Sequence, residues 1–160
     1  MQEVSYKFWN LVVLVKDNKI LLINRNKGDF ISLVPPGGKV EFPETFVESA
    51  KREVFEETGL TLNKVQLEGL SGFINELKGE QYVYIDYYSD DFTGDIIKDG
   101  TEGECGWYPL SEFEGLNIQP DIKTRIRQIL NNNFYELQIL WDEKTNAPSG
   151  EKLVTNNKMK

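Results

Sequence analysis

The sequence predicts an α/β domain built around a mixed or antiparallel β-sheet. Three observations point there: β-branched and aromatic runs recur along most of the chain, one acid-rich helical segment is framed by glycines early on, and a second helical segment precedes a late strand. The chain has 160 residues, 39% of them hydrophobic and 12% aromatic. That length removes roughly two-thirds of the unfolded surface from water on folding, enough for one core without staples. The expected organisation is a single domain over residues 1–142, followed by a polar tail over 143–160.

Phe8 to Val15 and Ile20 to Asn24 are rich in strand-forming residues, and Asp17-Asn18 between them supplies a turn, so an N-terminal hairpin is expected. Lys27 to Pro36 reads as a loop. Pro35-Pro36-Gly37-Gly38 continues it as irregular backbone, with glycine freedom and exposed peptide groups. A helix then starts near Pro43 to Thr45, with Phe46, Val47, Ala50, Val54 and Phe55 as its buried stripe and Gly59 as a left-handed cap. Val65 to Ile74, Gln81 to Ser89 and Cys105 to Tyr108 read as strands, separated by the turn Asn75 to Glu80 and the acidic stretch Asp90 to Glu104. Asp121 to Leu130 has helical spacing after Pro120, and Phe134 to Trp141 reads as a late strand. Thr145 to Lys160 is poor in apolar residues, and order is expected in only part of it.

Charge and composition narrow the chemistry. Lys and Arg number 18 against 26 Asp and Glu, a formal charge of -8. The average field repels nucleic acid and anionic lipid, so a polyanionic ligand needs a cation or a local basic patch. The longest apolar run near the N-terminus is LVVLV, with no basic leader, and nothing reaches membrane-span length. One cysteine, Cys105, excludes an internal disulfide and suits a reducing compartment; the cytoplasm is the expected location. Histidine is absent, which removes the usual general base and the commonest transition-metal ligand. Hard oxygen ligands without imidazole or thiolate clusters favour Mg²⁺, with Mn²⁺ as the alternative.

The segment GKVEFPETFVESAKREVFEETGL, from Gly38 to Leu60, carries the strongest signal. On a helix, Glu53, Glu56 and Glu57 share a face and can direct three carboxylates at one point. They would repel one another unless a divalent cation bound there, and such a cation can polarise phosphorus and lower the pKa of an attacking water. A backbone carbonyl at Gly37 can approach the same ion. Arg52 is organisational, its fork holding Glu44 or a neighbouring carboxylate. The bland alternative is a solvated helix face laced with i,i+4 ion pairs.

The spacing of Gly38, Glu44, Arg52-Glu53-Val54, Glu56-Glu57 and Gly59-Leu60 resembles the complete box motif of the Nudix hydrolase family. The motif spans about a seventh of the chain, and its nine specified positions are far more specific than a lone glycine pattern. The resemblance implies an α/β/α sandwich around a mixed sheet and Mg²⁺-dependent hydrolysis of a nucleoside diphosphate linked to a further group X. It implies metal ligation by Glu53, Glu56 and Glu57, with Glu53 as the favoured general base. In some members the base lies on a loop outside the box, which makes Asp99, Glu102 and Glu104 candidates.

Within the family, the chain looks most like the MutT-type nucleoside triphosphate pyrophosphohydrolases, including those acting on 8-oxo-dGTP, which release a nucleoside monophosphate and pyrophosphate. Dinucleoside polyphosphates, ADP-ribose or other nucleotide sugars, RNA 5′ ends, and a non-catalytic nucleotide-sensing module remain as alternatives. Arg25 and Lys39 are candidate phosphate contacts. Asp121 reads either as a base-edge contact or as a helix cap. Phe30, Phe73, Tyr82 and Tyr84 are stacking candidates or core residues. A homodimer through sheet edges or the late strand is a candidate assembly.

Overall fold

The computed structural model describes residues 2–27, 30–100 and 102–157. Strand β1 (Ser5–Lys16) turns through Asp17 and Asn18, both with positive φ, into β2 (Lys19–Lys27). Two left-handed residues in sequence match the twist of a tight hairpin. The two strands pair only at Val15 with Ile20 and Lys16 with Lys19, and then splay. The freed edges are taken by β3 (Phe30–Val34), which pairs with β2, and β4 (Gly37–Lys39), which pairs with β1.

Both short strands fall where irregular backbone was expected. The splay explains them, because it leaves two rows of peptide groups that need partners. Glycine permits β4 its close approach: a Cβ on Gly37 would lie 2.2 Å from the carbonyl oxygen of Asn10.

Helix α1 (Phe46–Thr58) opens on a capping box between Thr45 and Glu48 and ends at Gly59, φ 81°. Then follow β5 (Thr61–Leu62), β6 (Gln66–Asn75), β7 (Glu80–Ser89), β8 (Phe92–Thr93), β9 (Asp99–Gly100) and β10 (Gly103–Pro109). A 3-10 turn over Leu110–Gly115 leads to α2 (Pro120–Leu130), β11 (Asn133–Asp142) and β12 (Ala147–Asn157). The segment read as a polar tail thus carries an edge strand paired along β11.

The main sheet runs β12-β11-β6-β7-β1-β2-β10-β9, with β1/β7 and β11/β6 parallel and the other pairs antiparallel. It is a mixed sheet, as expected. Alternation along β1 and β2 sends Leu11, Val13, Ile20 and Leu22 to a core shared with Ile126 and Ile129 of α2. Val12, Leu14, Leu21 and Ile23 go to the opposite face, where Ala50 and Val54 of α1 cover them. One helix on each face makes the α/β/α sandwich. Among the described residues, no helix is long and apolar enough to cross a membrane.

Of the five residues expected to form the buried stripe of α1, only Ala50 and Val54 are buried, while Phe46, Val47 and Phe55 are exposed. The face turned inward is instead Ser49, Ala50, Val54, Glu57 and Thr58. Apolar periodicity misplaced the face because the inward side of this helix carries polar groups, two of which meet partners on β1 and β4.

Candidate active site

The splay of β1 from β2 opens a cleft of about 280 Å³ on the way from α1 to α2. Its acidic end is built by α1. Arg52 donates from Nε and Nη2 to the two oxygens of Glu44, at 2.7 and 3.1 Å, and from Nη2 to the Lys39 carbonyl at 3.1 Å. From Nη1 it reaches Glu53 at 3.0 Å and Glu56 at 3.2 Å. The hydrogen bond from Arg52 holds the Glu44 carboxyl below its ordinary range, and Glu44 in turn raises Arg52. This is the clamp expected for Arg52, tying the loop before α1 to the helix.

Asn10, buried on β1, ties the same parts from beneath. Its amide donates to Ser49 Oγ at 2.9 Å and its oxygen accepts from the Gly38 N–H at 3.3 Å. Gly38 lies directly against Glu53, where a Cβ would stand 2.3 Å from the Glu53 carboxyl carbon. The Gly37 N–H donates to Glu57 Oε1 at 3.4 Å.

Glu57 is 7% exposed. Burial, then a hydrogen bond to Glu53 and the Glu53 charge, push its carboxyl up to about 9, with Glu102 adding to the rise. Burial and the neighbouring Glu53 carboxylate thus favour the protonated form of Glu57 when no cation is bound.

The carboxylates are not arranged as the helical spacing suggested. Glu53, Glu57 and Glu102 line the cleft, whereas Glu56 turns to Arg52 on the exposed side. Among the described residues, no trio of His, Cys, Asp or Glu is already gathered in metal-ligand geometry. Three carboxylates on one face repel, and the Arg52 guanidinium draws Glu56 away. The donor set still suits a hard divalent cation: the cleft offers carboxylate oxygens, the chain has no imidazole, and the missing Cβ of Gly38 leaves the Glu53 carboxylate its place. Cys105 is buried, donates to the Glu57 carbonyl and is pushed up to about 11 by burial, so it is no competing thiolate.

Of the loop candidates, Glu102 lies in the cleft, 3.4 Å from Arg25 Nη2. Glu104 is exposed on β10 and does not line it. The side chains of Asp99 and Phe30 lie outside the described residues. Arg25 and Lys39 both line the cleft, as does Asp121. Helix α2 has no side-chain cap hydrogen bond, so Asp121 is not a cap; its carboxylate stands 3.9 Å from Arg125 Nη1.

Sequence reasoning missed the far wall. Arg125 is 3% exposed, donating to both oxygens of the fully buried Asp86 at 2.9 and 2.7 Å and lying 4.6 Å from the Tyr84 ring centre. Ser71 and Tyr135 also donate to Asp86. Burial works against the charge of Arg125, but Asp86 outweighs it and the guanidinium stays protonated. The available signals were an aspartate inside the apolar run Tyr82 to Tyr88 and an arginine inside the α2 stripe Ile122, Ile126, Ile129. Trp9 and Asn10 gave no signal beyond strand pattern.

The profile of the NUDIX domain family matches residues 9–130. The chain is 30% identical over 111 residues to YvcI of Bacillus subtilis, an uncharacterized Nudix hydrolase, covering 68% of this chain and 69% of that one. It is 51% identical over 49 residues to an ADP-ribose pyrophosphatase of Methanocaldococcus jannaschii, a match covering 30% of this chain and 29% of the relative. In structure it is similar to the MutT protein of Bacillus halodurans, with a TM-score of 0.81 at 22% identity, over 92% of this chain and 97% of that one.

Proposed function

This chain belongs to the NUDIX domain family and is a Nudix hydrolase acting on nucleoside diphosphate-linked substrates, and from that premise we propose that its cleft hydrolyses nucleoside triphosphates to a nucleoside monophosphate and pyrophosphate with Mg²⁺, Mn²⁺ substituting. The observation that carries this reading is the buried Glu57 carboxyl set beside Glu53 in the cleft, under the Gly37 N–H: a crowded carboxyl pair whose mutual repulsion a divalent cation would relieve. Glu53, Glu57 and Glu102 would hold the ion, joined by Glu56 on release from Arg52 and by the Gly37 carbonyl. When bound, the cation neutralises phosphate charge and makes an attacking water more acidic.

The chain's own groups divide the remaining work. Arg25 and Lys39 bind phosphate oxygens, and Asp121 reads a base edge at the other end of the cleft. Glu53 takes the proton of the water that attacks phosphorus as the anhydride P–O bond breaks; Glu102 is the alternative base. Arg52 and Glu44 position Glu53. An oxidised purine such as 8-oxo-dGTP is the leading choice among triphosphates, by likeness to MutT proteins. ADP-ribose is the second reading, favoured by the local match to an ADP-ribose pyrophosphatase.

A panel of dGTP, 8-oxo-dGTP, ADP-ribose and diadenosine polyphosphates with Mg²⁺, products identified, tests the substrate. Glu53→Gln is expected to lower kcat by 10²-fold or more without loss of fold. Unchanged turnover in that variant would remove Glu53 from the chemistry.

A further inference from the structure

Strand β1 begins outside the body of the sheet: residues 2–8 are all exposed, and the strand enters the core only from Trp9 inward. Its register with β7 is parallel, and the Ser5 N–H donates to the Gly79 carbonyl at 2.8 Å, so the odd-numbered residues of β1 turn their peptide groups to β7. The even-numbered residues turn theirs to the opposite edge, where Val12 donates to the Pro36 carbonyl at 2.9 Å and the Phe8 carbonyl accepts from Val40 at 3.0 Å. Cover of that edge ends at Val40. Tyr6, and Val4 just ahead of the strand, continue the alternation outward, and among the described residues no strand pairs with them on that side. An uncovered row of peptide groups is a template for another strand.

The side chains of this segment are also uncovered. Val12 and Leu14 pack on the α1 face of the sheet, and alternation puts Val4, Tyr6 and Phe8 on the same face. Phe8 still meets α1, its ring 5.5 Å from that of Phe46. Tyr6 and Val4, further out along the chain, are 57% and 50% exposed. Glu3 and Lys7 fall on the other face.

Charge selects what fits here. If this edge pairs with itself in antiparallel sense, outward-facing residues must oppose one another, so the two-fold axis falls on a residue rather than between two. Centred on Ser5, the pairing sets Val4 against Tyr6 of the second copy, each such pair exchanging both N–H···O bonds, and sets Glu3 against Lys7 at both ends. Centred on Lys7, it opposes two ammonium groups; centred on Val4 or Tyr6, it leaves Glu3 and Lys7 apart. An in-register parallel pairing places like charges side by side.

We propose that two copies of this chain join along this edge, β1 beside β1 in antiparallel sense about a two-fold axis at Ser5. The pairing continues the sheet from one copy into the other and buries Val4 and Tyr6 of both. It is closed, because each copy uses up the edge it offers.

The test is sedimentation equilibrium of the full chain and its variants. Wild type is expected at twice the chain mass. Tyr6→Pro removes an outward N–H and leaves the bonds to β7 in place, as proline on an edge allows, and should give a monomer. Lys7→Glu sets like charges at both ends and should weaken the dimer by about tenfold or more. Adding Glu3→Lys to Lys7→Glu restores opposite charges and should recover the wild-type constant. A wild type that stays monomeric up to about 1 mM overturns the proposal. So does a dimer that Tyr6→Pro leaves intact, which places the contact at another edge such as β12. A dimer indifferent to Lys7→Glu, or one that Glu3→Lys does not restore, refutes the register. Should Tyr6→Pro fail to fold, the charge exchange decides alone, since it is read as recovery.

Discussion

Replacing Gly38 by Ala separates the site from the fold. The added Cβ would stand 2.3 Å from the carboxyl carbon of Glu53 and 2.5 Å from each of its oxygens. Ordinary contact needs about 3.5–4 Å, so the carboxylate must retreat by about 1 Å or more. It is the end of a flexible side chain and can do so cheaply. Gly38 does not have the positive φ of Gly59 or Gly103, so alanine meets no left-handed strain and even removes about 0.4–1 kcal/mol of unfolded-state freedom. A displacement of 1 Å at a reacting group costs about 10²-fold in rate. The expected result is a melting temperature within a few degrees of wild type and a kcat lower by about two orders of magnitude. Thermal melts and steady-state kinetics on the panel above read both. Wild-type kcat in a folded Gly38→Ala protein would refute the placement of Glu53 at the centre of the chemistry.

Other perturbations bear on separate parts of the molecule. Arg125→Met leaves the Asp86 carboxylate buried and unpaired, and should cost about 3–5 kcal/mol in urea unfolding. Glu57 is raised in the folded state, so the stability it contributes is full below about 4.5 and is lost as pH rises through about 9. Metal-free wild type should therefore lose stability over that window relative to Glu57→Gln, as followed by melts at stepped pH, and parallel curves would contradict the assignment; Glu44, whose carboxyl is lowered, acts only at acid pH in both proteins. Arg52→Lys keeps a charge but cannot serve Glu44, Glu53 and the Lys39 carbonyl together, and kcat should fall by about tenfold or more with little change in KM.

Much of the framework was legible because it rests on local rules. The Asp17-Asn18 turn, the helix start at Pro43 to Thr45, and Gly59 each fix backbone by their own chemistry, and the alternation in β1 divides the two cores. What sequence alone did not show arises from non-local pairing. β3 and β4 exist because β1 and β2 part after two residue pairs, and no property of Phe30 to Lys39 announces that. The inward face of α1 was misread for a related reason: Ser49 is buried through Asn10 on β1, and Glu57 through Gly37 on β4. The box spacing located Arg52, Glu44 and Glu53 correctly relative to one another. It could not show that Glu56 faces outward, since that depends on which carboxylates the guanidinium captures.

The two ends of the cleft are supported in different ways, and this bears on how substrate choice can vary. The acidic end is held by a short-range clamp, with Arg52 reaching Glu44 eight residues away and Gly38 pressed on Glu53. The opposite end, where the base is proposed to bind, is held by Asp86 on β7, which gathers Arg125 from α2, Tyr135 from β11 and Ser71 from β6. Arg125 then lies against Tyr84 and faces Asp121, so this wall is set by contacts to Asp86 from 15 to 49 residues away in sequence. Changes in α2 or β11 can therefore reshape this end without moving Glu53. A substitution such as Asp86→Asn should disturb KM for the base-bearing half more than the chemical step, while Gly38→Ala should do the reverse; the contrast between the two variants measures how independent the halves of the site are.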